Sequence, residues 1–289
     1  MRKKTRGFTI VEILTVLAII SLLIAILLPS LNMARNAART AKQKVQMSYI
    51  DQALLAWRND FGDYPPSSCI APPYPDNYYC GAQKLAEALL GWDLLGFHPS
   101  SVFTVDGTNP ALAVPNIYNP TIATEMAKRK PRYLELETAN AFRLNQVFRL
   151  QGTLTPAAYQ RYVICDSFGR TDVTVGKENV KVGRPILYYR ADTSQKQFVP
   201  LPGKTIYDFT DNLQLIITAQ INDIADNPNI NHPLRTPANF YSNQYKILDT
   251  KIYQSAGLAW PRRPDSYILI SAGLDGLYGT QDDITNFGQ

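Results

Sequence analysis

Cysteine and histidine are nearly missing from this 289-residue chain, which has three of the first and two of the second. Three cysteines cannot supply the framework of a disulfide-built fold. His98 and His232 stand far apart, each is followed by a proline, and neither falls in a metal or nucleophile motif, so both read as satisfied loop residues. No P-loop or dinucleotide fingerprint is present either, and the expectation is a non-enzyme. An excess of one charge is missing too, despite a net charge of +5. Arg2, Lys3, Lys4 and Arg6 supply four of the cations. Set those aside and 29 basic residues fall to 25, against 24 acidic ones. The body therefore gives no sign of binding nucleic acid. With 45% hydrophobic, 11% aromatic and 18% charged residues, the chain is an ordered globular one. Its length allows one large domain or two small ones.

What the sequence does have is a long apolar run, from Phe8 to Leu28, immediately behind the basic leader. At ~1.5 Å per residue these 21 residues match a hydrocarbon core of ~30 Å. The leader charges hold the N-terminus on the cytoplasmic side and imply export of everything after Leu28. A secretory signal peptide and a plain single-pass anchor compete for this reading. Three features oppose both. Pro29, not a small-residue cleavage site, follows the run and the helical pattern continues. The short residue, Gly7, stands before the run. Glu12 lies inside it without a basic neighbour, and an uncompensated carboxylate in lipid costs about 3 kcal/mol, so it calls for a partner supplied later.

Gly7-Phe8-Thr9-Ile10-Val11-Glu12, with basic residues before it and a helix-long apolar stretch after it, resembles the leader of type IV pilins and type II secretion pseudopilins. The resemblance implies cleavage between Gly7 and Phe8 by a prepilin peptidase, methylation of the new Phe8 amine, and Glu12 as the fifth mature residue. The freed amine is then a natural partner for Glu12 of an adjacent subunit, setting axial register between packed helices. Pro29 also falls where the family carries a proline, and its missing N–H predicts a kink or local melting.

From Ser30 the pattern becomes amphipathic, with Leu31, Ala34, Ala38, Ala41, Val45, Tyr49, Ala53 and Ala56 at helical spacing. Arg35, Arg39, Lys42 and Lys44 cover other faces and read as a solvated surface rather than a lipid-headgroup site. The helix should end near 59–62, where glycine and two prolines follow. The expected organisation is a leader (1–7), a membrane and filament-core helix (8–28), its amphipathic continuation (29–61) and an exported head (62–289). The fold class is α+β: a long helix joined to a head with a small antiparallel sheet, extra helices and long loops.

In the head, 63–82 reads as an irregular loop, Gln83–Leu95 as a helix with Leu85, Ala86, Leu89 and Leu90 on one face, and 120–129 as another. Residues 133–161 are ambiguous. Strands are expected at Tyr162–Cys165, Pro185–Arg190, Gln197–Val199 and Asp265–Ser271, the last with Tyr267 and Leu269 on one side, and an amphipathic helix at Asp211–Asp223. Cys165 reads as a buried small hydrophobe, while an exported head favours a Cys69–Cys80 bridge over two free thiols. Asp166-Ser167-Phe168-Gly169-Arg170, followed by Gly183-Arg184-Pro185, is faintly similar to the Asp-Pro-Trp-Gly-x-Pro-Tyr strand lead-in of G-type major pseudopilins, with some thirteen residues intervening.

Residues 271–284, Ser-Ala-Gly-Leu-Asp-Gly-Leu-Tyr-Gly-Thr-Gln-Asp-Asp-Ile, carry three carboxylates and three glycines. Taken alone they read as an Asp-Gly turn followed by acids. They also resemble the calcium loop of G-type pseudopilins. That resemblance implies side-chain ligands Asp275 and Asp282, backbone ligands Ala272 and Leu277, and Asp283 as a third acid, with calcium as the cofactor.

The resemblance further implies a G-like pseudopilin of a type II secretion pseudopilus. Its partners would be other copies of itself, the prepilin peptidase, the platform protein and its ATPase, minor pseudopilins and the inner membrane, with the head in the periplasm. A pilin or minor pilin for adhesion or DNA uptake is the alternative, and a membrane-anchored periplasmic binding or enzymatic domain a third reading.

Overall fold

The computed structural model describes residues 9–69, 78–195, 198, 205–242, 247–257 and 259–287. Contacts divide the chain into two units, Met1–Ala41 and Lys42–Gln289. One helix, α1 (Ile10–Phe61, 52 residues), contributes to both. It runs unbroken through Pro29, although proline offers no N–H to the Ala25 carbonyl. In the first unit every side chain from Thr9 to Arg39 is exposed. By length and composition α1 can cross a membrane.

The second unit forms around the C-terminal third of α1. The buried stripe is Gln43, Gln46, Met47, Ile50, Ala53, Leu54 and Trp57. This corrects the stripe read from the sequence: of its lower members only Ala53 is buried, whereas Val45 and Tyr49 remain 53% and 48% exposed and Ala56 is exposed as well. The reason is chemical. Gln46 Nε2 donates to the carbonyls of Thr138 (3.0 Å), Ala139 (3.3 Å) and Cys165 (2.9 Å), and Gln43 Oε1 accepts from Ser167 N at 2.7 Å. Two polar residues are thus drawn into the core by hydrogen bonds to main-chain groups of the head, the Cys165 carbonyl being shared with Asn140 Nδ2 at 3.2 Å. Gln46→Ala should cost about 2 kcal/mol of unfolding free energy, read as a lower urea midpoint at unchanged m. A variant that melts like the wild type would show these bonds to be dispensable.

After α1 come α2 (Gly81–Leu90), α3 (Ala123–Lys128), α4 (Leu136–Ala139), β1 (Ala141–Arg143), α5 (Leu144–Val147), α6 (Pro156–Tyr159) and β2 (Tyr162–Ile164). The hairpin β3 (Thr171–Val175) and β4 (Glu178–Val182) follows, then β5 (Leu187–Arg190), α7 (Leu213–Asp226), α8 (Pro237–Phe240), α9 (Thr250–Ala256), β6 (Tyr267–Ser271) and β7 (Ile284–Thr285). The expected α+β head with a small antiparallel sheet is present, and among the described residues the strands fall into three antiparallel sheets: β1–β2, β3–β4 and β5–β6–β7. Strand β6 is the middle of three and all five of its residues are buried, so both of its faces are covered rather than one side only. Helix α2 starts earlier and stops sooner than expected, at Leu90, and it is buried all round. Its charged residues are served locally: Lys84 Nζ reaches the Ser68 carbonyl at 2.5 Å, and Glu87 accepts from Tyr79 (2.7 Å), Ser101 (2.5 Å) and Tyr118 (3.0 Å). The strand expected at Gln197–Val199 falls, apart from Phe198, outside the described residues.

The hairpin has no counterpart in the sequence reading; it fills the stretch between Arg170 and Gly183. Val175 pairs with Glu178 across Gly176-Lys177, with Gly176 at φ +65, a two-residue turn that opens on a glycine. The ends close on each other: Arg170 N donates to Val182 O (2.9 Å) and Asp166 N to Arg184 O (2.8 Å). The intervening residues form a hairpin closed at its base between Arg170 and Gly183, with Val173 and Val182 buried in the core of the head. Asp166 Oδ1 accepts from Phe168 N (3.1 Å) and Arg184 N (3.2 Å), and Oδ2 accepts from Ser271 Oγ (3.0 Å). Asp166 thus ties the base of the hairpin to β6.

Candidate functional site

At the N-terminus, the cleavage pair Gly7 and Phe8 lies outside the described residues. The first turn beyond it is built around Glu12. Thr9 N and Thr9 Oγ1 donate to Glu12 Oε2 at 2.8 and 2.9 Å, and Glu12 N donates back to Thr9 Oγ1 at 3.2 Å. This is a reciprocal cap: the carboxylate satisfies an amide that has no intrahelical acceptor, and the hydroxyl satisfies another. The acid without a basic neighbour therefore has a local partner. The Thr-x-x-Glu spacing announces that cap, but in the sequence only the acid stood out.

At the C-terminus, the loop after β6 turns back on itself as its glycines suggest. Gly273 has φ +61, and a Cβ there would lie 2.4 Å from the Asp282 carbonyl. Asp275 N donates to Asp282 Oδ2 (2.9 Å), Leu277 N to Asp275 Oδ1 (2.8 Å), Thr280 Oγ1 to Asp282 Oδ1 (2.6 Å) and Gly279 N to Asp283 Oδ2 (2.7 Å). Burial raises Asp275, and the nearby Asp282 charge adds to the shift. Burial also acts on Asp282, but the Thr280 hydroxyl and the Asp275 amide hold it below its ordinary value. Asp283 is pushed well up by burial and by both neighbouring acids, and its buried Oδ1 has no hydrogen-bond partner.

The chemistry of this donor set suits a hard cation: oxygen ligands only, two acids in contact and a third with an orphaned oxygen. Among the described residues, however, no three His, Cys, Asp or Glu side chains are grouped so as to hold a metal ion. A cation here would rest on Asp275 and Asp282 together with main-chain oxygens. The loop is anchored from outside by Arg170, whose Nη1 donates to the Asp275 carbonyl, and by His232, whose Nδ1 accepts from Tyr278 N at 3.1 Å.

Cys69 and Cys80 are free and buried, with their sulfurs 3.0 Å apart. Cys165 is wholly buried. His98 and His232 are fully buried in coil. Each accepts a main-chain N–H on Nδ1 (from Ser100 and Tyr278, both at 3.1 Å) and pairs through Nε2 with a carboxylate (Glu125 at 3.1 Å, Asp223 at 2.9 Å). An N–H can be accepted only by an unprotonated ring nitrogen, so both rings are neutral and structural.

Residues 2–28 match a family model described as the prokaryotic N-terminal methylation motif. No curated protein and no solved structure matches the chain at a significant level. The match spans the basic leader, Gly7, Phe8, the Thr9–Glu12 cap and the apolar start of α1, which suits anchoring in a membrane. Over these residues the chain carries the leader of a type IV pilin-like protein that undergoes prepilin processing.

Proposed function

We propose that the chain is a filament subunit, cut between Gly7 and Phe8, methylated on Phe8 and assembled through α1 into a type II secretion pseudopilus as a G-like pseudopilin. The observation that carries this reading is the methylation motif running directly into a 52-residue helix in which every side chain from Ile10 to Arg39 is exposed. Such an apolar surface needs either lipid or other helices around it. The prepilin peptidase, the platform protein, its ATPase and minor pseudopilins follow as partners, with the inner membrane as the site of insertion and the periplasm as the place of the head. In that oxidising compartment Cys69 and Cys80 close into a disulfide. The enlarged head favours a minor or surface pilin as the second reading, since region 91–122 adds a lobe without regular structure.

Mass spectrometry of the mature N-terminus tests the reading. A chain beginning at methylated Phe8 is expected; an intact Met1, or a cut beyond Leu28, would sink it. Glu12→Ala should leave the cut in place and lower filament yield, because the helix loses both its cap and its register charge.

Calcium binding at 271–284 belongs to the same proposal, with Asp275, Asp282 and the carbonyls of Ala272 and Leu277 as ligands and Asp283 as a third acid that would have to turn its orphaned oxygen towards the ion. Support comes from the Asp275–Asp282 contact and the orphaned Asp283 oxygen. Bound calcium would neutralise the acids that burial strains. Saturating calcium at about 100 times its dissociation constant should add about 2.7 kcal/mol of stability, lost again on chelation. An unchanged melting temperature in metal-stripped protein given calcium would remove the site.

A further inference from the structure

The apolar stripe read from the sequence is not idle because the head ignores it. Val45, Tyr49 and Ala56 form the floor of an open groove between α1 and the segment around α4. A cavity of about 360 Å³ lies on one side of Tyr49, with Val45 and Glu137 in its lining. Another of about 420 Å³ lies on the other side, with Ala56, Leu134 and Glu135. From Lys42 to Ala56 the groove runs along about 21 Å of helix. Tyr49 and Val45 lie half exposed in it, an apolar floor at helical spacing of the kind that receives another helix.

We infer that this groove receives α1 of a second copy, through the segment 31–41, with Arg35 and Arg39 set against Glu135 and Glu137. The inference rests on the filament reading above and adds where the copies touch. Three observations select that occupant. Leu31, Ala34, Ala38 and Ala41 continue the same stripe upstream, and their small side chains allow close helix approach. The segment is about 16 Å long and fits within the groove. Arg35 and Arg39, one helical turn apart, flank that stripe and are exposed, and the segment holds no acid; the α4 side of the groove offers the exposed Glu135 and Glu137, while Lys42 and Lys181 line its other sides, so the arginines are directed to the α4 side. A patch that fits a different patch on an identical molecule makes a head-to-tail contact, which propagates as an open helix rather than closing as a dimer.

Charge reversal in the full-length chain tests the pairing. Arg35→Glu with Arg39→Glu should cut filament yield at least about tenfold, a loss equivalent to about 1.4 kcal/mol, as should Glu135→Arg with Glu137→Arg. All four changes together should restore yield to within about threefold of wild type. Undiminished filaments in either double variant, or no recovery in the quadruple one, would overturn the contact. N-terminal mass and melting temperature report on processing and folding in each variant. A photoreactive residue in place of Tyr49, in an otherwise unaltered chain, covers the case of a misfolded variant. Its adduct should map to 31–41 of another copy; an adduct on lipid, on a different protein or on no residue of a formed filament overturns the inference. A wild-type chain that is never cut at Gly7 contradicts the filament reading itself, which is a separate result.

Discussion

Gly183→Ala is expected to lower the unfolding free energy by at least about 3 kcal/mol. A Cβ at this position would stand 1.8 Å from Asp166 Oδ1, 2.5 Å from the Asp166 carbonyl and 2.8 Å from the Phe168 carbonyl. Two of those atoms are main chain and cannot swing aside. The third is the oxygen that accepts from Phe168 N and Arg184 N, so moving it leaves two buried amides unpaired. Gly176→Ala is the matched control. It also adds one methyl to the hairpin, but nothing lies within 4 Å of its Cβ and only the positive φ opposes it, at about 1 kcal/mol. Urea midpoints that fall equally for both variants would show that the close approach at Gly183 is not what holds the hairpin base.

The second large effect is a pH dependence. Burial pushes Asp166 up to about 7 against an ordinary 3.8, while the bonds from Ser271, Phe168 and Arg184 only partly offset it; Asp211 is raised to about 7 in the same way. A folded pKa above the unfolded one means that the folded chain keeps a proton the unfolded chain has released. The stability each of these two groups contributes is therefore fullest below about pH 4, falls as pH rises towards 7 and levels off above it. Each group can account for on the order of 4 kcal/mol over that window. Asp166→Asn keeps the shape: its oxygen still accepts from Phe168 and Arg184, and its amide can donate to Ser271 Oγ. The variant should match wild type near pH 4 and exceed it by up to about 4 kcal/mol at pH 8. Glu87, Asp275 and Asp283, also raised by burial, act in the same sense in both proteins, and the lowered His98, His232, Glu125, Asp223 and Asp282 act in the opposite sense in both, so the difference between the two curves isolates Asp166. Parallel stability curves for the two proteins from pH 4 to 8 would mean that Asp166 is ionised in the fold.

Legibility in the sequence followed how local the cause was. The leader, α1, α7 and the strands at 162, 187 and 267 announce themselves because each is a long periodic or β-rich run. The α1 stripe was misread because its burying residues include Gln43 and Gln46, whose partners lie roughly ninety to one hundred and twenty positions away. No periodicity of apolar residues can report such a bond. The hairpin escaped because Asp, Thr, Asn and Lys alternate with single valines, a pattern that looks like loop until Gly176-Lys177 is seen as a turn. Around the acidic loop the contact of Asp275 with Asp282 could be anticipated from glycine spacing. The roles of Arg170 and His232 could not, since both arrive from other elements of the head.

The hairpin also says where this head can be rebuilt. Its two ends are hydrogen-bonded together at Arg170 and Val182 and Val173 anchors it in the core, so only the tip at Gly176-Lys177 stands clear of the head. Nothing approaches Gly176 at the tip, and each doubling of an inserted loop costs only about 0.6 kcal/mol. A peptide spliced in at Gly176-Lys177 would thus be carried as cargo, repeated on every copy of the chain.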